Sequence, residues 1–319
     1  MAAAGLEERM GERVVVVGGG VIGLSCAVRL AERGRRVTVV TDREPGETTS
    51  VVAGGLIYPR HAEPADRCAG WTAVTVEEFR RLAEVPGTGV RFVPGRLLRR
   101  VERPVPAWAA AVGGMTRRSD LGEPWTDALQ FTTPLVDTGR YVAWLAQVAA
   151  GSGVRIEHRR VRDLGDVGEA DLVVNAAGLG ARDLVADRAV TPARGQVVHV
   201  ADPGLPEWVV DEDDFSYVLP HGDHVVCGGT EEHGEESLDP DDATTGDILR
   251  RCRALVPALA TAEVLDVRVG LRPARPEVRL ERAEPDGASP VPVIHCYGHG
   301  GVGVTVSWGC ADEVAALAG

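Results

Sequence analysis

The sequence predicts an α/β protein whose two domains are interleaved along the chain. Three observations lead to this prediction: a β-α-β unit opens the chain, a buried strand of the same kind lies in the middle, and a glycine-rich strand-to-helix turn comes near the C-terminus. Strand-rich segments separate these three blocks. Because similar elements recur at both ends and in the middle, we expect domains built from discontinuous segments rather than two domains in tandem.

The first block has the order strand, helix, strand within about 30 residues, which is the size of a β-α-β unit. Residues 14–17 are four valines, a β-branched run typical of a buried parallel strand. Residues 22–33 carry apolar side chains at helical spacing, and Gly34 is a helix stop. Residues 37–40 form the next strand, so this block predicts two parallel strands joined by a helix.

The remaining elements are predicted from their periodicity. Helices are predicted at residues 71–84, 139–151 and 309–318, with another around residues 245–255. Strands are predicted at residues 90–101 with a turn at Pro94-Gly95, at residues 154–161 and 170–175, and through most of residues 196–282. Residues 102–135 are rich in proline, glycine and arginine and are expected to form a surface loop.

The composition predicts a soluble enzyme or binding protein. The 319 residues are 44% hydrophobic and carry a net charge of −13, which argues against nucleic acid or an anionic membrane as a partner. No apolar run is long enough to span a bilayer, and residues 1–13, which we interpret as a disordered lead-in, lack the apolar stretch of a signal peptide. None of the six cysteines forms a Cys-x-x-Cys pair, and the eight histidines form no His-x-x-x-His or similar cluster. We therefore expect a cytoplasmic protein with reduced thiols and no metal site.

A glycine motif, Gly18-x-Gly20-x-x-Gly23, lies between the first strand and its helix and predicts a bound dinucleotide. The first glycine allows a tight turn, the second lets a pyrophosphate approach the helix N-terminus, and the third lets helix and strand pack closely. Asp42 follows the second strand, where a carboxylate can bind a ribose hydroxyl. The motif does not distinguish NAD from FAD, and a glycine-rich turn without a ligand is the alternative.

A polar segment follows this unit. Thr48, Thr49 and Ser50 precede Gly54 and Gly55, so hydroxyl groups and backbone donors stand close together in the sequence. Such a segment can line a long polar ligand, but a hydroxyl-rich surface loop explains it equally well.

Three further blocks can be read together: residues 16–25 around the glycine motif, residues 268–281 with Gly-Leu-Arg-Pro, and residues 295–309 with Gly-His-Gly-Gly. Together they resemble the D-amino acid oxidase family of FAD enzymes, which includes D-aspartate oxidases. The resemblance spans nearly the whole chain after residue 13 and extends through Asp42-Arg43, Thr48-Thr-Ser50, Ala53-Gly-Gly-Leu56, Val174-Asn-Ala-Ala-Gly178 and Arg194-Gly-Gln196.

The resemblance implies a Rossmann-like FAD-binding domain interleaved with a substrate domain built on a mixed or antiparallel sheet. The FAD-binding domain would comprise residues 14–60, 134–195 and 293–319, and the substrate domain residues 61–133 and 196–292. FAD would be bound without a covalent link, with residues 300–305 beside the flavin ring and Val161 beside the adenine. The expected cofactor contacts are Gly18, Gly20, Val21, Ile22, Gly23, Asp42, Arg43, Thr48, Thr49, Ser50, Gly54, Gly55, Leu56, Val161, Gly178, Gly300, Gly301, Val302, Gly303, Val304 and Thr305.

The resemblance also implies roles for three residues at the substrate. Arg272 matches the arginine that binds the substrate carboxylate, for which a planar guanidinium is suited. Tyr217 matches the tyrosine whose hydroxyl assists this contact, and Gly301 matches the glycine whose carbonyl accepts the substrate amine. Considered alone, Tyr217 would be a half-buried sheet residue. Arg272 belongs to a group of arginines any of which could form a surface ion pair, namely Arg268, Arg272, Arg275 and Arg279.

The reaction implied is oxidative deamination of D-amino acids to 2-oxo acids, ammonia and hydrogen peroxide, with O2 as acceptor and hydride transfer from the substrate Cα to flavin N5. D-Aspartate oxidase and a glycine- or sarcosine-type amine oxidase are the alternatives within this class. An NAD-dependent dehydrogenase and a nucleotide-binding module without catalysis are the alternatives outside it. A homodimer is one expectation for the assembly.

Two regions depart from animal members of the family. The segment before Tyr217, residues 211–215, is acidic and shorter than in animal members, which predicts a more open site with faster product release. Tyr58 and Arg60 replace residues common in animal members near the pocket mouth. We expect Arg60 to face solvent, the alternative being that it attracts an acidic substrate side chain.

Overall fold

The computed structural model describes residues 11–60, 62–285 and 289–319, so most of the proposed lead-in segment lies outside the described residues. The helices are α1 (Val21–Glu32), α2 (Ala65–Leu82), α3 (Ala109–Val112), α4 (Thr138–Gly151), α5 (Ala181–Leu184), α6 (Asp242–Leu255) and α7 (Gly303–Leu317). The strands are β1 (Arg13–Val17), β2 (Arg36–Thr41), β3 (Val90–Arg99), β4 (Thr116–Arg118), β5 (Asp127–Val136), β6 (Arg155–His158), β7 (Leu172–Asn175), β8 (Thr191–Ala201), β9 (Trp208–Asp211), β10 (Ser216–Pro220), β11 (His224–Gly228), β12 (Glu232–His233), β13 (Val264–Ala274), β14 (Arg279–Ala283) and β15 (Val293–Tyr297). Within the described ranges, no helix has both the length and the apolar character needed to cross a membrane.

A six-stranded sheet contains the predicted β-α-β unit. Its order is β14-β15-β7-β1-β2-β6, in which β14 is antiparallel to β15 and the other neighbours are parallel. The four valines of β1 are at most 5% exposed, as expected for a parallel strand covered on both faces. Helix α1 contacts β1 and β2, α7 contacts β14 and β15, and the two helices pack against each other.

The second sheet has nine strands, in the order β12-β8-β11-β10-β9-β3-β5-β4 with β13 paired to β8. The β3–β9 pair is parallel and its other pairs are antiparallel, so the sheet is mixed. The chain passes from the first sheet to the second after β2, returns at β6, leaves again at β8 and returns at β14. These crossings confirm the predicted interleaved α/β fold.

Two local predictions in residues 90–135 are wrong. The segment predicted to turn at Pro94-Gly95 is one continuous strand, with Pro94 opposite Thr132 and Gly95 opposite Phe131. Gly95 serves packing instead, because a Cβ atom there would overlap the Trp208 ring. The predicted surface loop at residues 102–135 contains α3, β4 and most of β5.

Two further boundaries differ from the prediction. Helix α7 begins at Gly303 rather than at residue 309. Residues 304–308 belong to the helix and are all buried, although glycines precede them. The strand predicted at residues 154–161 ends at His158, so Val161 lies in the loop after β6.

At two places the predicted domain boundaries do not coincide with the division of the strands between the two sheets. Strand β5 crosses the boundary between residues 133 and 134. Strand β14, which the prediction placed in the substrate domain, pairs with β15 in the six-stranded sheet. A local sequence pattern does not show which sheet a strand will join, because that depends on its partner.

The two sheets are joined where the segment after β2 meets β5. The Val136 N–H donates to the Gly55 carbonyl at 2.9 Å, and the Ile57 N–H donates to the Pro134 carbonyl at 3.1 Å. Gly55 has a φ of +80°, and a Cβ atom there would overlap the Val136 carbonyl. Glycine is therefore required at this junction, which forms one side of a large cavity.

Candidate functional site

A cavity of about 1440 Å³ is lined by segments from both sheets. It exceeds the roughly 300–1000 Å³ of a typical small-molecule pocket, as an extended dinucleotide together with a substrate would require. The structure brings together on its wall the predicted site residues Gly18, Gly20, Val21, Ile22, Asp42, Arg43, Thr48, Thr49, Ser50, Gly54, Gly55, Leu56, Val161, Gly178, Tyr217, Arg272, Gly300, Gly301, Val302, Gly303, Val304 and Thr305. Gly23 is the predicted residue that does not line it.

The glycine motif forms the start of α1 as expected. Gly18 has a φ of +116°, and a Cβ atom there would overlap the Ala176 carbonyl. Gly23 lies behind the wall, where a Cβ atom would overlap the Gly18 carbonyl, so its role is close packing of the helix on the turn. Gly20 and Val21 line the cavity, and the first turn of α1 has no acidic residue. The positive end of this helix is therefore available to an anionic group.

The hydroxyl-rich segment lies on the cavity wall, so its interpretation as a surface loop is wrong. The Val21 N–H donates to Ser50 Oγ at 3.0 Å, which holds the segment at the start of α1. The Thr48 hydroxyl donates to the Pro45 carbonyl at 2.9 Å and closes a tight turn. The segment is thus placed beside the glycine motif by its own side chains.

Asp42, Arg43 and Val161 come together at the carboxyl edge of the six-stranded sheet. Asp42 and Arg43 follow β2, and Val161 follows β6, which is the parallel neighbour of β2. Loops after neighbouring parallel strands meet at one edge of the sheet, where nucleotides bind in open α/β folds. This edge suits the ribose and base of a dinucleotide.

A second helix N-terminus reaches the cavity through the turn between β15 and α7. Gly298 and Gly300 have φ values of +83° and +52°, which favour glycine. The Gly300 N–H donates to the Pro273 carbonyl at 2.9 Å, so the turn is tied to the strand that carries Arg272. The residues predicted to lie beside a flavin therefore border the proposed substrate residues.

Arg272 differs from the neighbouring arginines in its partners. It is half-buried on the cavity wall, and its Nη1 donates to the Thr230 carbonyl at 2.9 Å. A Cβ atom at Gly195 would overlap its guanidinium, so Gly195 provides the space that this group occupies. No described residue supplies a carboxylate to Arg272. The other arginines of the group have one each: Arg268 with Asp266 at 2.7 Å, Arg275 with Asp187 at 3.1 Å and Arg279 with Glu281 at 2.7 Å.

Tyr217 lies near Arg272, and its ring packs on the Gly228–Gly229 peptide. A Cβ atom at Gly228 would overlap the ring, and one at Gly229 would lie 2.6 Å from Cε1. Burial raises the pKa of the Tyr217 hydroxyl, while the positive charge of Arg272 acts in the opposite direction. The phenol therefore remains neutral and can donate a hydrogen bond.

Two glycines of the predicted cofactor loops lie beside the Arg272 and Tyr217 side chains. A Cβ atom at Gly301 would lie 3.5 Å from Arg272 Cδ, and one at Gly54 would lie 3.4 Å from Tyr217 Cε2. The absence of side chains at Gly54 and Gly301 keeps open the space where cofactor and substrate would meet.

Arg60 does not face solvent, so that expectation is wrong. Its side chain is 21% exposed, and its guanidinium lies over the Phe215 ring at 4.4 Å from the centroid. Its Nη1 is 3.7 Å from a carboxylate oxygen of Glu231, and both residues line the cavity. Phe215 in turn contacts the Tyr217 ring edge-on, with the two ring centroids 5.8 Å apart. Phe215 therefore lies between Arg60 and Tyr217, which belongs to the proposed substrate site.

Sequence reasoning missed several residues that shape this end of the cavity. Gly195, Gly228 and Gly229 provide the space for the Arg272 and Tyr217 side chains, and Phe215 and Glu231 contact Arg60. The paired glycines at the end of β11 were a visible signal. Their function depends on an aromatic ring from a neighbouring strand, which the sequence does not reveal.

The residues on the wall fit a dinucleotide. Two helix N-termini reach the cavity, and the glycine turn at the first of them has no side chain that would block a ligand from the backbone. Hydroxyl groups lie beside that turn, and a carboxylate lies at the sheet edge. Each of these provides a contact for pyrophosphate, ribose or an extended ring system.

The chain matches the family model described as DAO, FAD-dependent oxidoreductase, over residues 13–317. It is 47% identical to a D-amino-acid oxidase of Rubrobacter xylanophilus, with 99% of this chain and 98% of that protein covered. It is 37% identical to a D-aspartate oxidase of Homo sapiens, with 96% and 94% covered. A glycine oxidase structure from Geobacillus kaustophilus shares the fold with a TM-score of 0.80, at 23% identity and with 96% of this chain and 94% of that chain covered. The chain therefore belongs to the DAO family of FAD-dependent oxidoreductases, and FAD is its cofactor.

Proposed function

We propose that this oxidoreductase converts D-amino acids into 2-oxo acids and ammonia, with O2 reduced to hydrogen peroxide. One observation carries the proposal: the half-buried Arg272 guanidinium lines the cavity and has no carboxylate partner among the described residues. A partly buried charge without a counter-ion is unfavourable, so a substrate carboxylate would complete the site. The names of the relatives support an amino acid as that substrate.

The three proposed catalytic residues orient the substrate. Arg272 would bind the carboxylate through two parallel hydrogen bonds, and the neutral Tyr217 hydroxyl would donate a further one. The Gly301 carbonyl would accept a hydrogen bond from the substrate amine. Because carboxylate and amine are fixed at two separate points, the Cα hydrogen of one enantiomer alone would point toward the cofactor.

The remaining predicted residues would hold the cofactor, without a covalent bond. FAD, when bound, supplies the acceptor for the hydride that leaves the substrate Cα, at flavin N5. Residues 300–305 would border its ring, and the positive end of α7 would favour negative charge there. Gly20 and Val21 would contact the pyrophosphate, and Asp42 a ribose hydroxyl.

Oxidation of D-aspartate is a second candidate, and Arg60 is the observation that favours it. Its Nε has no hydrogen-bond partner among the described residues, and its ion pair with Glu231 is 3.7 Å long. A substrate side-chain carboxylate could therefore compete with Glu231 for this cation. We favour a broader range of D-amino acids, because Glu231 already balances the charge. A glycine- or sarcosine-type oxidase would leave Arg60 without contact to its substrate.

The test is anaerobic reduction of the purified enzyme with a panel of D- and L-amino acids, glycine and sarcosine. We expect the yellow colour of bound flavin to bleach with several D-amino acids and to persist with their L-enantiomers. Bleaching with D-aspartate alone would select the second candidate. Persistent colour with every compound would refute both. Oxygen consumption and peroxide formation would then test whether O2 is the acceptor. Gel filtration would test whether the protein forms a homodimer.

The cytoplasm remains the proposed location. Fractionation of the source cells would test it.

A further inference from the structure

Behind the turn that carries Gly301, two thiols and one imidazole converge. Cys296 lies near the end of β15, His299 lies in the following turn, and Cys310 lies on α7. All three are at most 5% exposed. His299 Nε2 lies 3.9 Å from Cys296 Sγ and 3.7 Å from Cys310 Sγ, and the three atoms are within 4.8 Å of one another.

This geometry is close to that of a metal site. In a tetrahedral zinc site with Zn–S near 2.3 Å and Zn–N near 2.0 Å, an imidazole nitrogen and a thiolate sulfur are about 3.5 Å apart. Both observed distances from His299 are within about 0.4 Å of this value.

Hydrogen bonding to His299 accounts for only one of the two contacts that its Nε2 makes. A neutral imidazole nitrogen either donates one hydrogen bond or accepts one. The same Nε2 of His299 faces two sulfur atoms, so at most one of the two contacts can be a hydrogen bond. A cation at the centre would satisfy both sulfurs and the nitrogen together.

We propose that Cys296, His299 and Cys310 bind one thiophilic divalent cation of the Zn²⁺ or Cd²⁺ type. On binding, the Cys296 and Cys310 thiols would release their protons to the solvent, and the two thiolates formed would neutralise the charge of the ion, which suits a buried site. The ligands come from a strand, a tight turn and a helix, so they are held on rigid elements. The Cys26 thiol is within hydrogen-bonding reach of Cys296 and is the nearest candidate for a fourth ligand.

The route to the site is the large cavity, since Cys296 and His299 both line it. The proposed ion would lie under the turn whose next residues form the Gly300–Gly301 backbone. Its binding would therefore fix the loop proposed to border both cofactor and substrate.

The second group of possible ligands in the described residues is less suitable. Asp137, Asp223 and His224 lie at or near the surface and have internal partners. Arg140 pairs with both aspartates, and His224 Nδ1 contacts Asp223 at 2.7 Å. An arginine therefore already supplies the positive charge that a cation would bring.

The test is metal analysis of the FAD-loaded enzyme after dialysis to equilibrium against Zn²⁺ in a buffer containing a non-thiol reductant. We expect one zinc ion per chain, and we expect Cys310→Ala to lose it. Cys227→Ala, at another buried cysteine, and Asp223→Asn, at the surface group, should both retain it. The absence of bound zinc in the unaltered enzyme, or its retention in Cys310→Ala, would overturn the proposal.

The ligand set can be measured without a variant, which keeps the proposal testable if Cys310→Ala does not fold. X-ray absorption of the zinc-loaded enzyme should show at least two sulfurs near 2.3 Å and one nitrogen near 2.0 Å. Coordination by oxygen and nitrogen alone would place the ion elsewhere and refute the site.

Discussion

Replacement of Arg272 by alanine tests the proposed substrate site most directly. The Nη1 of this residue donates to the Thr230 carbonyl at 2.9 Å, and no described carboxylate occupies its remaining donors. Two of those donors can bind a substrate carboxylate side by side. A hydrogen bond to a charged group contributes about 1.5–3 kcal/mol, so the pair contributes about 3–6 kcal/mol. At about 1.4 kcal/mol per tenfold, Arg272→Ala should lower kcat/KM by about 10² to 10⁴.

The assay is substrate-dependent oxygen consumption, with flavin absorbance as the measure of cofactor content. We expect most of the loss in KM and an unchanged flavin content, because Arg272 would bind the substrate and not FAD. Arg272→Lys should recover part of the loss, since lysine keeps the charge without the two-pronged geometry. Arg268→Ala is the matched control, because Arg268 is paired with Asp266 outside this cavity. Equal kcat/KM values for Arg272→Ala and Arg268→Ala would refute the reasoning.

Three further predictions concern the hydroxyl of the site, the glycine motif and pH. Tyr217→Phe should lower kcat/KM about 10- to 100-fold with FAD retained, because one hydrogen bond to the charged substrate carboxylate is lost. Steady-state kinetics equal to those of the parent enzyme would exclude a contact between the Tyr217 hydroxyl and the substrate. Gly23→Ala should lower the free energy of unfolding by about 1–3 kcal/mol, since its Cβ would overlap a backbone carbonyl. Gly70→Ala, which has open space in α2, should leave that free energy equal or raise it by up to about 1 kcal/mol; urea titration in which both variants behave alike would contradict the packing argument. His221 directly follows β10, and burial lowers its pKa from 6.5 to about 4. Between these pH values the unfolded chain binds a proton that the folded chain does not, so the free energy of unfolding should fall as the pH drops below 6.5. A urea midpoint that is no lower at pH 5 than at pH 6.5, or a decrease unaffected by His221→Asn, would refute this.

The elements that the sequence predicted correctly are those whose signal is local. The four valines of β1, the helical spacing of α1 and the glycine turn between them depend on residues within one β-α-β unit. The role of Gly23 was also predictable, because a helix that follows a strand through a tight turn must pass close to it.

The errors arose where a local signal had a distant cause. Pro94-Gly95 has the composition of a turn, yet it lies within a strand because Gly95 makes room for the ring of Trp208 from another strand. Arg60 was expected in solvent because arginine is usually exposed. The Phe215 ring and the Glu231 carboxylate, both far away in the chain, hold it at the cavity.

The sequence by itself determined the type of cofactor site and the family resemblance, because glycine spacing at a strand-to-helix turn is a property of the backbone over a few residues. Only the tertiary structure decided which arginine is available to a substrate. The sequence offers four arginines in one short segment, and the fold gives three of them carboxylates while Arg272 has none among the described residues. The same holds for Cys296, His299 and Cys310, which converge when α7 folds back behind the turn. Ion pairing and convergence of ligands depend on contacts between segments that are remote in the chain, and these exist only after folding.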